Sequence, residues 1–148
     1  MIFVDANFLI YAYDRSSPAH EPARRWLNEA LSGKDPVGFA WPTVLAFLRI
    51  TTNPKIFRDP FSIEEAVAIV DEWFSLPIIR LLHAGETHWE ILRSLLLETQ
   101  GKANLVMDAH LAALTIEHDM ILLTRDSDFE RFEHLRTFNP LASEPQEY

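Results

Sequence analysis

Four short apolar runs, Ile2 to Val4, Val37 to Ala40, Ile78 to Leu82 and Ile121 to Leu123, are separated by stretches with apolar residues at helical spacing. Short strands split by helices have one common solution, a parallel sheet covered by helices on both faces. The pattern predicts an α/β chain: a three-layer α/β/α sandwich with a small, mainly parallel central sheet. A last strand is expected at Arg136 to Phe138. With 148 residues and no internal repeat or linker, residues 1–148 read as a single domain.

The helices are punctuated by recognisable breaks. Asn7 to Tyr13 reads as a helical piece broken by Ser16-Ser17-Pro18. His20 to Leu31 is amphipathic, with Ala23, Trp26, Leu27 and Ala30 on one face and Gly33 past the end. Pro42 suits the first turn of a helix continuing through Val44 to Ile50, and Asn53-Pro54 stops it. Ser62 with Glu65 predicts a capping box opening Ile63 to Leu76; Thr87 with Glu90 repeats the pattern, for a helix reaching Gln100 with Gly101 at its C-terminal position. Leu105 to His118 reads as the next helix, and a short helical piece is expected near Phe129.

Aspartates stand at the junctions of this pattern. Asp5 follows the first strand, Asp126 and Asp128 follow the fourth, and Asp108 lies early in the helix that feeds the fourth strand. Parallel strands put their carboxyl ends on one edge, where open α/β sheets place their sites. A helix leading directly into a strand runs antiparallel to it, so Asp108 comes to the same edge. Two carboxylates about 4 Å apart repel by roughly 4 kcal/mol at an effective dielectric near 20. A hard divalent cation, Mg²⁺ or Mn²⁺, removes that penalty, and its open coordination positions suit phosphoryl-transfer chemistry. Each position also has a plain structural use. Asp5 could cap the helix near Asn7, Asp108 could serve the helix dipole, and Asp128 could cap the piece near Phe129.

Other chemistries find less support. Absence of cysteine excludes disulfides and thiolate metal sites. The six histidines show no recognised zinc spacing, and His110, two residues after Asp108, falls on the opposite side of its helix. No Gly-rich phosphate loop or serine elbow is present. The N-terminus lacks a basic leader, and no apolar run approaches the roughly 18 residues of a membrane span, so a cytoplasmic protein without membrane association is expected. The net charge of −9 argues against whole-surface attraction to nucleic acid, but not against a nucleic-acid enzyme with local arginines. The segment Arg49 to Arg58, with Lys55 and Phe57, is a candidate contact to a nucleic-acid backbone and base, although such loops are more often simply solvated.

Taken together, Val4-Asp5-Ala6-Asn7-Phe8-Leu9-Ile10-Tyr11-Ala12, Trp41-Pro42-Thr43, Thr52-Asn53-Pro54, Asp108-Ala109-His110-Leu111-Ala112-Ala113-Leu114, Thr124-Arg125-Asp126-Ser127-Asp128-Phe129 and Asn139-Pro140-Leu141 resemble the PIN-domain proteins, specifically the VapC toxins of type II toxin–antitoxin pairs. The resemblance covers nearly the whole chain. It implies a PIN-like fold and a Mg²⁺-dependent endoribonuclease that hydrolyses RNA through metal-activated water. It implies a homodimer held inactive by a VapB-like antitoxin. On the same grounds Asp5, Asp108 and Asp126 match metal ligands, Asp128 a supporting acidic residue, and Thr124 a hydroxyl that orients water or a carboxylate.

One position departs from the pattern. Ala46 stands where many PIN domains carry a glutamate, with Glu86, Glu90 and Asn104 as conceivable substitutes. A single well-held metal ion is therefore expected. The departure also motivates an alternative, a PIN-fold module that binds metal and antitoxin but cuts weakly or not at all. A phosphatase using Asp5 as nucleophile fits less well, because the second aspartate such enzymes need two residues later is Asn7. Arg49 and Arg125 are candidates to steady a scissile phosphate.

Overall fold

The computed structural model describes residues 1–142. Five strands, β1 (Ile2–Val4), β2 (Val37–Phe39), β3 (Ile79–Leu81), β4 (Ile121–Leu123) and β5 (Thr137–Phe138), form one sheet in the order β3-β2-β1-β4-β5. All four pairings are parallel, so the sheet is wholly parallel. Helices α1 (Ala6–Tyr13) and α2 (His20–Ser32) join β1 to β2, and α3 (Trp41–Thr51) and α4 (Ile63–Ser75) join β2 to β3. Helices α5 (His88–Thr99) and α6 (Asn104–Glu117) lead back to β4, and a 3₁₀ helix, Ser127–Arg131, precedes β5.

Alternation along each strand builds the two cores. Val4 and Leu123 face a cluster with Phe8, Leu9, Leu27, Phe47 and Trp73 from α1 to α4. Their neighbours Phe3 and Leu122 face the other side, against Leu95, Leu111, Leu114, Phe129 and Phe132. That is the period of two expected of strands buried on both faces. Trp73 anchors the first core edge-on to Phe47, Phe39 and Tyr13 at 4.7, 5.2 and 5.9 Å, and its indole N–H donates to the Tyr13 hydroxyl at 3.1 Å. Gly38 in β2 has a steric reason: a Cβ there would lie 2.6 Å from Met120 Cε and 3.1 Å from Leu82 Cδ1.

Two helix ends differ from expectation. The capping box at Ser62 and Glu65 forms, with both reciprocal bonds at 3.1 Å. The second does not: Thr87 makes no capping bond, and its hydroxyl is 3.5 Å from Glu117 Oε1 instead. At the other end of α5 the left-handed position is taken by Gln100 at φ 51°, not by Gly101, whose N–H closes the helix on Leu96 O at 3.1 Å.

The sheet grows outward from β1 through β2 to β3, then returns to add β4 and β5 on the opposite side. The reversal lies between β1 and β4, and the chain leaves their carboxyl ends in divergent directions, opening a crevice there. Among the described residues no helix is long and apolar enough to cross a membrane.

Candidate active site

Asp5 stands at the reversal point. Its backbone N–H continues the ladder to Leu123 O at 3.0 Å, and its φ and ψ of −70° and 146° are still those of a strand before α1 begins. It occupies the N-cap position of α1 without making a side-chain capping bond. The buried carboxylate instead accepts from the Thr124 hydroxyl, Oγ1 to Oδ2 2.9 Å. Thr124 is itself fixed, its N–H donating to Phe138 O at 3.1 Å and its hydroxyl oxygen accepting from Asp126 N–H at 3.0 Å. Asp126 Oδ1 then accepts from Asp128 N–H at 2.9 Å, so Asp126 rather than Asp128 caps the 3₁₀ helix.

Asp108 arrives from α6, which is entered through Ala103 at φ 54° and ψ −123°. One carboxylate oxygen each from Asp108, Asp126 and Asp128 lies within 4.8 Å of the others. Asp5 is outside that tight group but close enough for its charge to act on Asp108. Burial, then the charges of Asp126, Asp5 and Asp128, push Asp108 up to about 6 from its usual 3.8. Burial also pushes Asp5 up; the Thr124 bond and the N–H groups of Ala6 and Asn7 oppose the rise, and the Asp126 charge adds to it. The four aspartates expected at one edge are thus neighbours there, with Asp128 closer in and Asp5 more recessed than the expected ligand set of Asp5, Asp108 and Asp126 supposes.

These residues fit a hard divalent cation. Two oxygens about 2.1 Å from one Mg²⁺ are at most roughly 4.2 Å apart, so the three carboxylates, gathered within 4.8 Å, need draw in only slightly to share one ion. The donors are all oxygen, which suits Mg²⁺ or Mn²⁺. The carboxylate repulsion that adds to burial in raising Asp108 is a penalty such an ion relieves.

Residues 2–135 match the PIN domain family. Over 142 residues the chain is 45% identical to Ribonuclease VapC37 of Mycobacterium tuberculosis, covering 96% of this chain and 99% of that protein. The chain belongs to the VapC branch of the PIN-domain family. Two solved structures share its fold. The structure of FitAB bound to an IR36 DNA fragment superposes with a TM-score of 0.70 at 23% identity, covering 99% of both chains. A toxin–antitoxin complex from Klebsiella pneumoniae gives a TM-score of 0.62 at 16% identity, over 95% of this chain and 98% of that one.

As a PIN domain the chain keeps its departure. Ala46 lies mid-way along α3, and among the described residues neither Glu86 nor Glu90 joins the acidic group. Arg49 sits in the last turn of α3, whereas Arg125 is next to Asp126 in sequence and lies over the Tyr11 ring at 5.1 Å. Phe57 cannot stack on a base: it is buried in the first core, against Phe61.

Spacing in the sequence also left one polar chain undetected. His88 Nδ1 is 3.1 Å from Glu117 Oε2, and His88 Nε2 is 2.9 Å from His110 Nδ1. Glu117 further accepts from Gly85 N–H at 2.8 Å. This relay pins α5 to α6 on the side of α6 away from Asp108. Burial and the nearby His88 lower the His110 pKa. The partners are 22 and 29 residues apart, beyond any local pattern.

Proposed function

We propose that this PIN domain is a Mg²⁺-dependent endoribonuclease, the toxin of a type II toxin–antitoxin pair, and that it hydrolyses RNA phosphodiester bonds. The observation that carries the reading is the meeting of Asp108, Asp126 and Asp128 within 4.8 Å, with buried Asp5 beside them. The ribonuclease name of a relative matched along nearly the whole chain supports it. Asp108, Asp126 and Asp128 would hold the ion, with Asp5 adding charge from the β1 side. When bound, Mg²⁺ neutralises phosphate charge and lowers the pKa of water to be used as nucleophile.

The protein's own contribution is positional. Thr124 holds Asp5 and the Asp126 backbone in one hydrogen-bonded unit, so the carboxylates of two strand ends keep a set separation. The hydroxyl and the backbone ladder arrange these acids before any substrate arrives, which lowers the reorganisation needed during reaction.

An exposed apolar patch on α3 and α4 offers a surface for a partner. FitAB and the Klebsiella complex are assemblies of more than one protein by name. Here Trp41 and Leu45 of α3 and Phe74 of α4 are exposed, with the Trp41 and Phe74 rings 6.0 Å apart. An exposed apolar patch of this kind supports homodimerisation and docking of a VapB-like antitoxin. A cytoplasmic location follows for an enzyme acting on cellular RNA.

The deciding experiment incubates an unstructured RNA with the wild type and with Asp108→Asn, in Mg²⁺ and in EDTA. Cleavage only by the wild type in Mg²⁺ is expected, with both proteins equally folded by circular dichroism. Cleavage that survives the substitution or the chelator removes this reading. Ala46 motivates the alternative, a module that binds metal and antitoxin without cutting. A wild type that leaves RNA intact and does not arrest growth, yet binds its antitoxin, would establish that alternative.

A further inference from the structure

We propose that the face formed by α1, α2 and the Thr124–Asp126 turn is a binding track for the sugar–phosphate backbone of single-stranded RNA, with Arg125, Arg25, Arg24 and Arg15 as its cationic contacts. The proposal rests on the nuclease reading, because it concerns the flank of the RNA that reaches the acidic edge.

Three depressions run in series across this face. The first is lined by Tyr11, Pro22, Arg125 and Leu141 among others, and the second by Pro22, Arg25, Trp26 and Leu141. The third is lined by Arg15, His20, Arg24, Arg25 and Asn28. Pro22 and Leu141 are walls common to the first two, and Arg25 is common to the second and third. The depressions therefore join into one path. It begins at Arg125, adjacent to Asp126, and an arginine stands at every stage. The carboxylates on its walls are Glu29 in the second depression and Glu21 in the third.

This concentration is unusual for the chain. Four of its 13 basic residues gather here in a protein of net charge −9. Among the described residues the ion pairs are His88–Glu117, Arg131–Asp128 and Arg136–Asp119, and none involves these four arginines. Part of the cluster has a structural use. His20 Nδ1 meets Tyr11 O at 3.1 Å, and Arg24 donates to Ala12 O at 3.4 Å while lying over Tyr13 at 5.6 Å, so both satisfy the end of α1. That accounts for His20 and Arg24. It does not account for Arg15, Arg25 and Arg125, which are exposed.

Electrostatics favours RNA over a protein as occupant. An acidic edge repels a polyanion, so a phosphate chain brought to it needs neutralisation close by. Arg125 begins that neutralisation one residue from the acidic group, and stacking on Tyr11 holds its guanidinium in place without removing its charge. A basic partner segment, which the acidic remainder of the chain would attract, is repelled from this strip.

The test is a fluorescence-anisotropy titration of a labelled 20-nucleotide polyuridine in EDTA, so that binding is read without cleavage. Arg15→Ala/Arg25→Ala is compared with wild type and with Lys34→Ala/Arg93→Ala, which removes equal charge elsewhere. The expected result is affinity reduced roughly tenfold in the first variant only, with the slope of log K against log salt shallower by about 1.4, the share of two phosphate contacts on a single strand. Wild-type affinity in Arg15→Ala/Arg25→Ala, or an equal loss in the control pair, overturns the proposal. Unchanged RNA binding together with loss of the dimer on gel filtration assigns the face to protein and overturns it too. Cleavage of the same polyuridine by saturating wild type in Mg²⁺ reports separately on the nuclease reading. If that cleavage fails while the arginine variant loses RNA, the track stands and the nuclease reading falls.

Discussion

Thr124 Oγ1 donates to Asp5 Oδ2 at 2.9 Å while its own oxygen accepts from the Asp126 N–H at 3.0 Å, so one hydroxyl ties the end of β1 to the turn after β4. The pair is 119 residues apart in sequence and buried. Thr124→Val keeps the shape and removes the hydroxyl, leaving a buried carboxylate without its side-chain donor and the Asp126 N–H without its acceptor. The expected cost is about 1–3 kcal/mol of stability by urea denaturation. RNA cleavage should fall at least about tenfold, as for loss of a positioned polar group, and Thr124→Ser should restore most of both. A valine variant as stable and active as wild type would remove the structural role given to this hydroxyl.

The acidic edge should show a pH dependence of definite sign. Asp108 is pushed from 3.8 up to about 6, so the native state holds a proton that the unfolded chain releases. Its contribution to stability is therefore full below about pH 4 and lost as pH rises through about 6. In EDTA, raising the pH through that window should destabilise the wild type more than Asp108→Asn in thermal melts. Metal binding needs the ionised form, so Mn²⁺ affinity measured by calorimetry should rise through the same window and level off above it. An affinity unchanged between pH 5 and pH 7 contradicts the assignment of Asp108 to the ion.

The Glu117–His88–His110 relay predicts a stability effect separable from the chemistry. His88→Ala removes both bonds and leaves a largely buried Glu117 carboxylate with fewer donors, its side chain being 10% exposed. A loss of about 1–3 kcal/mol is expected in denaturant titrations. Metal affinity should stay at the wild-type value, because the relay faces away from Asp108. A variant that loses metal binding while keeping its stability would reverse this view.

Ala103 enters α6 at φ 54°, a backbone region costly for any residue with a Cβ. Ala103→Gly should relieve on the order of 1 kcal/mol and raise the melting temperature by about 2–4 °C. An unchanged or lower melting temperature would mean that the surrounding turn does not strain the alanine.

Residue type and local order made much of the layout readable. The apolar run Ile121–Leu123 is a strand with the expected bounds, and helices with clear breaks, such as Ile63–Ser75, lie within one residue of expectation. Strand-end aspartates came to one edge because parallel topology leaves them nowhere else to go. Competition between distant groups is what local pattern does not show. Thr87 has the residues of a capping box, but Glu117 approaches it from 30 positions away. His88 and His110 pair across two helices, and no spacing announces it. Asp128 is the cap that composition suggests for the piece near Phe129, and the turn geometry gives the role to Asp126 instead. Phe57 sits among basic residues that suggest a nucleic-acid contact, yet its ring is drawn into the core.

The central place of β1, hydrogen-bonded to β2 on one side and β4 on the other, has a consequence for synthesis. β1 is translated well before β4, its neighbour in the sheet, and the carboxylates after β4 come later still. A ribosome making this chain therefore carries a fragment without an assembled acidic edge until Asp126 and Asp128 have been added. For a protein whose proposed target is RNA, the order of the strands is itself a form of delay.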